Sequence, residues 1–243
     1  MKYTIMTYNV AAGRTYFEYA ETGKQPVNLE KSAEVVKNLK PDVCGLNEVD
    51  ILTQRSGKVD QVAFYKEYLG MNGAFGKAID HQGGEYGNAF LTRFPIIESE
   101  VIDIPDLVDI EHGHHRTILR VKVDVDGKLV TFLQLHAGLV EEEKIECIDT
   151  LCKVIDSLDT PIILMGDFNM EPDFPALAKI REKLVDTAPL LNGGDFITFG
   201  TYPGDRKLHI DYIFVSKDIK PLSLATFDTM ASDHFPLIME CEI

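Results

Sequence analysis

The sequence predicts an α/β protein (α+β by some schemes), with sheets covered by helices, and three observations carry that expectation. Apolar runs with strand periodicity recur along the chain: in MKYTIMTYNV, Tyr3, Ile5, Thr7 and Asn9 alternate with Thr4, Met6, Tyr8 and Val10. Stretches with helical spacing stand between them, such as Leu29, Ala33, Val36 and Leu39. No low-complexity linker, repeat or composition shift divides the chain, so residues 1–243 read as a single domain.

After the first strand and a loop, NLEKSAEVVKNLKPD (28–42) predicts a helix that Asn28 caps and Pro41 ends. DVCGLNEV (42–49) is an apolar strand ending in polar residues, and DQVAFYKEYLG (60–70) a helix closed by Gly70. GMNGAFGKA (70–78) lacks the lysine context of a P-loop and reads as turn and strand. GNAFLTRFPIIESEVIDI (87–104) holds strands broken at Pro95. RTILRVKVDVDGKLVTFLQLHAG (116–138) is a hairpin: Ile118, Arg120, Lys122 and Asp124 alternate with apolar neighbours, and Asp126-Gly127 supplies the turn. EEEKIECIDTLCKVIDSLD (141–159) is an amphipathic helix with Ile145, Ile148, Leu151, Cys152 and Ile155 on one face. The strand PIILM (161–165) follows, then a helix in FPALAKIREKL (174–184) and strands in KLHIDYIFVS (207–216) and HFPLIMECEI (234–243).

Composition narrows the function classes. With 45% hydrophobic and 26% charged residues, the chain has the material for a sizeable core. No apolar run approaches a membrane span, and the N-terminus reads as a strand rather than a signal peptide. Cys44, Cys147, Cys152 and Cys241 form no CxxC pair and read as core thiols, so a reducing cytoplasm is the expected setting. Lys+Arg 24 against Asp+Glu 39 gives a net charge of −15, which keeps a chain soluble and disfavours tight, sequence-independent binding of long DNA or RNA.

Polar residues collect where strands end. Asn9 closes the first strand, Asn47 and Glu48 the next, His136 the hairpin's return strand, and Asp167 and Asn169 follow PIILM. Asp211 lies inside HIDYIFVS, and Asp233-His234 precede the last strand. One such residue is ordinary turn chemistry. Several of them, on strand ends that converge on one rim, are how a rigid scaffold builds a site. Glu48 and Asn9 are oxygen donors without thiolates and suit a hard cation such as Mg²⁺ or Mn²⁺. Aspartate beside histidine suits acid–base work on a phosphate ester.

TYNV (7–10), GLNEVD (45–50), GNAFLTRFP (87–95), LHAG (135–138), GDFNMEP (166–172), HIDYIFVS (209–216) and SDHFP (232–236) occur in an order that resembles the endonuclease/exonuclease/phosphatase superfamily. That metal-dependent group includes DNase I, apurinic endonucleases, sphingomyelinases, deadenylases and inositol-polyphosphate 5-phosphatases. The resemblance implies a four-layer α/β/β/α sandwich of the DNase I type with the site at one rim. It also implies roles: Glu48 as principal metal ligand with Asn9 close by, and Asp233 near the metal or supporting His234. Asp167 would orient or deprotonate the attacking water, and Asn169 would bind a phosphate oxygen. His234 would contact the scissile phosphate, its tautomer held by Asp211. His136 would be the second histidine, facing the phosphate or the leaving group, and Arg116 would bind substrate and add positive charge to the transition state. Two departures stand out. Asn47 replaces the usual Gln before Glu48, and Gln134-Leu135 precede His136 where Asn-Thr is commoner. Neither removes a group that would touch metal or substrate.

Smaller signals weigh less. EHGHHR (111–116) does not match zinc-site spacing and reads as an exposed loop leading to Arg116. Tyr16, Phe17 and Tyr19 either line a substrate pocket or pack beneath their loop. Arg14, Arg55, Lys58, Arg93, Arg206 and Lys207 fall in loops that border the rim, where any that converge would make a small anion pocket. The expectation is therefore a metal-dependent phosphoesterase acting on a compact phosphate-ester substrate, with no obligate protein partner and no membrane. A nuclease is the first alternative, disfavoured by charge, and sphingomyelinase-type membrane action is weakened by the absence of tryptophan. The alternative of another class is a non-catalytic module that keeps the fold; the presence of Glu48, Asp167, Asn169, Asp211 and His234 together argues against it.

Overall fold

In the computed structural model, residues 1–107, 115–192, 196–202 and 206–243 are described. The strands in chain order are β1 (Lys2–Asn9), β2 (Val43–Ile51), β3 (Asn72–His81), β4 (Gly84–Thr92), β5 (Ile96–Asp103), β6 (Thr117–Val125), β7 (Lys128–His136), β8 (Ile162–Asp167), β9 (Val185–Asp186), β10 (Asp211–Val215), β11 (Lys220–Thr226) and β12 (Leu237–Glu242). The helices are α1 (Tyr19–Thr22), α2 (Leu29–Leu39), α3 (Gln61–Leu69), α4 (Glu141–Asp156), α5 (Leu177–Lys183) and α6 (Thr187–Asn192). The strands form two six-stranded sheets, ordered β11-β12-β1-β2-β4-β3 and β5-β6-β7-β8-β10-β9.

Each sheet is built around one parallel pair, β1 with β2 and β7 with β8. A parallel pair needs a crossover, and α2 and α4 supply them. The remaining pairings among the described residues are antiparallel.

Period-two patterning sorts the side chains into three apolar layers. Ile5 of β1, Val43 of β2, Phe132 of β7, Ile163 and Met165 of β8, Ile213 of β10 and Met239 of β12 meet between the sheets. On the outer face of the first sheet, Met6, Tyr8, Cys44 and Leu46 pack against Leu29, Ala33 and Val36 of α2 and Val62 and Tyr65 of α3. On the outer face of the second, Leu133, Leu135, Ile162 and Leu164 pack against Cys147, Ile148 and Leu151 of α4 and Leu177 and Ile180 of α5. Helices, sheet, sheet, helices: this is the four-layer α/β/β/α sandwich that the resemblance implied. The sheets approach closely at Gly45, where a Cβ would sit 1.9 Å from Gln134 Oε1.

The structure corrects several local expectations. Asn28 stands at the N-cap of α2, but its side chain makes no capping bond; Asp60 does cap α3, accepting from the Ala63 N–H. Ile145 of α4 is 39% exposed, and Val154 takes the buried place beside Ile155. Helix α5 begins at Leu177, three residues later than the sequence suggests, and Asp211 is the first residue of its strand rather than an interior one. β11 is an additional strand. Its irregular register between Pro221 and Ser223 explains why no alternation marks it. Asn47 and Glu48 do not end β2. They form a bulge, two residues opposite one in β4 between the Leu46–Ala89 and Val49–Gly87 pairs, with Glu48 at φ 57°. Cys44, Cys147 and Cys241 are buried, Cys152 is half-buried, and all are free thiols. Residues 111–114 of the histidine-rich loop lie outside the described residues.

Candidate active site

The inner-face parity that buries Ile5, Val43, Phe132, Ile163 and Ile213 continues along the same strands to Asn9, Asn47, His136, Asp167 and Asp211. The register pairs Asn9 with Asn47, His136 with Asp167, and Asp211 with Asp167. The apolar layer between the sheets thus ends at one rim in polar side chains, each on a rigid strand.

Asp167 is at the centre and 1% exposed. Its Oδ1 accepts the Asn169 N–H at 2.9 Å, closing an Asx-type turn in which Asn169 adopts φ 52°. Its Oδ2 accepts the Asn9 amide N–H at 3.0 Å and lies 3.5 Å from His136 Nε2 and 3.6 Å from His234 Nε2. Burial and the nearby Asp211 carboxylate push the Asp167 pKa up to about 7, against the opposing pull of His234 and the Asn9 and Asn169 hydrogen bonds.

The two histidines beside it are in opposite charge states. His234 is gripped by Asp211, whose Oδ2 lies 2.8 Å from Nδ1. Burial opposes a charge on this ring, but Asp211 and Asp167 outweigh it and raise the pKa to about 10, so His234 is an imidazolium. The Phe199 ring packs edge-on against it at 4.9 Å. His136 is held neutral: burial, then the Arg116 guanidinium, then His234 push its pKa well below the usual histidine value. Arg116 Nη1 lies 3.2 Å and Tyr86 Oη 3.4 Å from His136 Nδ1. Arg116 has only protons to offer, so Nδ1 accepts and Nε2 carries the proton toward Asp167.

Glu48 is carried to the rim by the bulge in β2. Its Oε1 accepts from the Asn9 amide at 3.2 Å, and Arg14 Nη2 lies 3.4 Å from Oε2. The Asn9 Oδ1 accepts the Ala11 N–H at 3.0 Å. Asn9 lies close to Glu48, as expected, and turns its NH₂ toward Glu48 and Asp167. Asp233, also expected there, accepts the Tyr16 hydroxyl at 3.1 Å. Asn169 donates one amide proton to the Ala137 carbonyl at 3.0 Å, which leaves the other and its oxygen facing outward from that bond. Asp167, Asp211 and His234 bring ligand atoms within 4.8 Å of one another, a grouping able to hold a metal ion.

Asn47, which the sequence reading noted, and several residues it did not single out support the site. Asn47 joins the two sheets: its NH₂ donates to the Asn88 side chain at 2.9 Å and the Leu135 carbonyl at 2.7 Å, and its Oδ1 accepts the Asp167 N–H at 3.2 Å. The Thr198 hydroxyl oxygen accepts the N–H groups of Ile210 and Asp211, both at 3.0 Å. Ser232 ties the last loop to β1 by donating to the Asn9 carbonyl at 2.7 Å. Tyr86 and Asn88 share the inner parity of Phe90 in β4, and that period-two signal marks them in the sequence.

Of the six basic loop residues, Arg14 reaches Glu48 and Arg55 lines a cavity with Arg116. Arg93 pairs with Asp42 just before the opposite end of β2, Arg206 pairs with Glu171, and Lys207 reaches the Gly200 carbonyl. Tyr16 binds Asp233 and stacks edge-on with Tyr19, whereas Phe17 is 54% exposed.

This architecture has known counterparts. A curated relative, the uncharacterized protein YbhP of Escherichia coli K12, is 24% identical over 260 residues, covering 99% of this chain and 96% of its own. A crystal structure of an endonuclease/exonuclease/phosphatase from Beutenbergia cavernae superposes with a TM-score of 0.81 at 23% identity, covering 100% of this chain and 72% of that one. The mannosyl-6-phosphatase of Bacteroides thetaiotaomicron gives a TM-score of 0.76 at 19% identity (99% and 100% covered), and a humanized D. rerio TDP2 gives 0.74 at 19% (100% and 99% covered). These structures share the fold, and the profile of the Endonuclease/Exonuclease/phosphatase family matches residues 6–234, so the chain belongs to that family.

Proposed function

We propose that this protein is a divalent-metal-dependent phosphoesterase that hydrolyses a compact phosphate ester by in-line attack of water. The observation that carries the reading is the buried Asp167 carboxylate, whose Oδ2 lies 3.5 Å from His136 Nε2 and 3.6 Å from His234 Nε2, with burial and Asp211 raising its pKa toward neutrality. A base poised near neutrality beside a fixed positive charge suits proton removal from water next to a phosphoryl group.

A hard cation, Mg²⁺ or Mn²⁺, fits the donor set. Carboxylates dominate it, thiolates are absent from it, and Asp211 Oδ1 is buried without a hydrogen-bond partner among the described residues. Glu48 is the principal ligand in this reading, with Asp167 sharing its space through the common Asn9 amide and Asp211 offering its free oxygen. When bound, such an ion neutralises charge on the phosphoryl oxygens.

The chain's own residues divide the remaining work. Asp167 Oδ2 takes a proton from water. His234, oriented by Asp211, holds a phosphoryl oxygen by its charge and its Nε2–H. His136 offers its Nε2–H to the phosphate or to the departing oxygen. Asn169 and Arg116 donate to the substrate's oxygens. A D. rerio TDP2 bound to single-strand DNA product shares the fold and keeps a nuclease reading open, but the charge of −15 weighs against a long polyanion. No described helix is long and apolar enough to cross a membrane.

A panel of phosphomonoesters, phosphodiesters, lipids and nucleic acids, assayed with Mg²⁺ and with Mn²⁺, tests the reading. Metal-dependent turnover of a small ester supports it; no turnover of any phosphate ester, or full activity in excess chelator, overturns it.

A further inference from the structure

We propose that the cavity between Arg55, Ile79, His81, Tyr86 and Arg116 is a subsite for a second anionic group of the substrate, a phosphate or a carboxylate, beside the phosphate that is hydrolysed. This rests on the phosphoesterase reading and specifies its substrate class.

The cavity holds about 150 Å³. That is well below the roughly 300 Å³ at which pockets for drug-sized ligands begin. It suits one functional group rather than a base with its sugar. It opens beside the site described above, because Tyr86 and Arg116 both reach His136 Nδ1.

Its donors are fixed before any ligand arrives. Arg55 directs Nε and Nη2 onto the two oxygens of the fully buried Asp50, each at 2.8 Å, and its guanidinium lies over the Tyr86 ring at 5.2 Å from the centroid. That fork leaves Nη1, with two protons, uncommitted to Asp50. The Arg116 Nε is buried without a hydrogen-bond partner, and the residue forms no ion pair with an acid among the described residues. His81 Nε2 is likewise buried and unbonded among the described residues, with its ring 6.2 Å from that of Tyr86. Two arginines and a histidine therefore line one small space together with Tyr86 and Ile79. Asp50 is engaged by Arg55 and both Asp80 and Glu85 by Lys77, while the Glu48 carboxylate acts electrostatically on Arg55 and Tyr86. Planar, forked donors of this kind recognise oxyanions.

The test uses substrates that share a skeleton and differ in charge: glycerol 3-phosphate, 3-phosphoglycerate, which adds a carboxylate, and 2,3-bisphosphoglycerate, which adds a second phosphate. Fructose 6-phosphate and fructose 1,6-bisphosphate form a second series. Each is measured with the metal-loaded protein, by turnover and by calorimetric binding. At least one doubly anionic member should exceed its singly anionic partner by about tenfold or more, through KM or Kd, the scale of one charge-assisted hydrogen bond. In Arg55→Lys and in His81→Ala, that ratio should fall toward one. The two additions distinguish carboxylate from phosphate as the group bound. Turnover or binding with no such preference in either series overturns the subsite while leaving the phosphoesterase reading intact. A preference that survives both substitutions also overturns it, by locating the recognition elsewhere. Absence of turnover alongside an intact binding preference would instead count against the hydrolase reading alone.

Discussion

Asp167 uses one oxygen to hold the turn after β8 and the other to face the histidines, and this division makes its substitutions informative. Asp167→Asn keeps an oxygen for the Asn169 N–H but removes the base. In a steady-state assay kcat should fall by about 10² or more, the scale of a positioned acid–base group, and His234→Ala should do likewise. Turnover near that of the unaltered protein would exclude either role. The pH dependence follows from the same pair. Asp167 works ionised and His234 works protonated, so kcat/KM should climb with pH to about 7 and decline above about 10. Stability runs with its own signs. Protonation of His234 contributes stability that is fully present below 6.5 and is lost as pH rises through about 10. Ionisation of Asp167 costs stability, a cost that sets in above the ordinary aspartate value of 3.8 and is complete above about 7. Melting curves of the metal-free protein should therefore shift in favour of Asp167→Asn, relative to the unaltered chain, between pH 5 and pH 8. A constant difference in Tm across that range would contradict the raised pKa.

At the scale of elements, the site depends on how β2 and β8 meet. The bulge at Asn47–Glu48 lets neighbouring residues serve different partners, Asn47 bracing the other sheet and Glu48 turning to the rim. Gly166, one residue before Asp167, has φ 143°, and a Cβ there would lie 2.0 Å from the Leu135 carbonyl oxygen. Gly166→Ala should force β7 and β8 apart, costing about 1–3 kcal/mol or more in denaturant unfolding. It should also lower kcat, because His136 and Asp167 are register partners across that same pair. Removing the brace by Asn47→Ala leaves the Asp167 N–H without its acceptor and should cost about 1–3 kcal/mol. A loss below 0.5 kcal/mol, on the order of an ordinary surface change, would show that Asn47 braces nothing.

Across the whole molecule, a charge of −15 surrounds the candidate site. The acidic surface repels long polyanions, and positive charge is concentrated at His234, Arg116 and Arg55. Plasmid DNA at physiological salt should be nicked poorly relative to hydrolysis of small esters. Efficient nicking that small esters do not inhibit would overturn the compact-substrate reading. Excess chelator should abolish turnover, and Mg²⁺ or Mn²⁺ should restore it.

The sequence by itself determined the layers and several of the polar residues that the strands carry to one rim. Alternation along β1, β7 and β8 is local information: it says which side chains share a face, and the polar residue that ends each apolar face is visible without coordinates. Asn9, His136 and Asp167 were legible for that reason, and Glu48, Asp211 and His234 through their neighbours in GLNEVD, HIDYIFVS and SDHFP. What pairs with what was decided by tertiary structure, because those partners are far apart in the chain. Nothing local announces that Thr198 holds the start of β10, that Phe199 packs on His234, or that the Asn9 amide presents its nitrogen rather than its oxygen. The opposite pulls on the two histidines arise in the same way. Each is a buried ring, and only the neighbour brought to it in space, a carboxylate for His234 and a guanidinium for His136, selects the protonated or the neutral form.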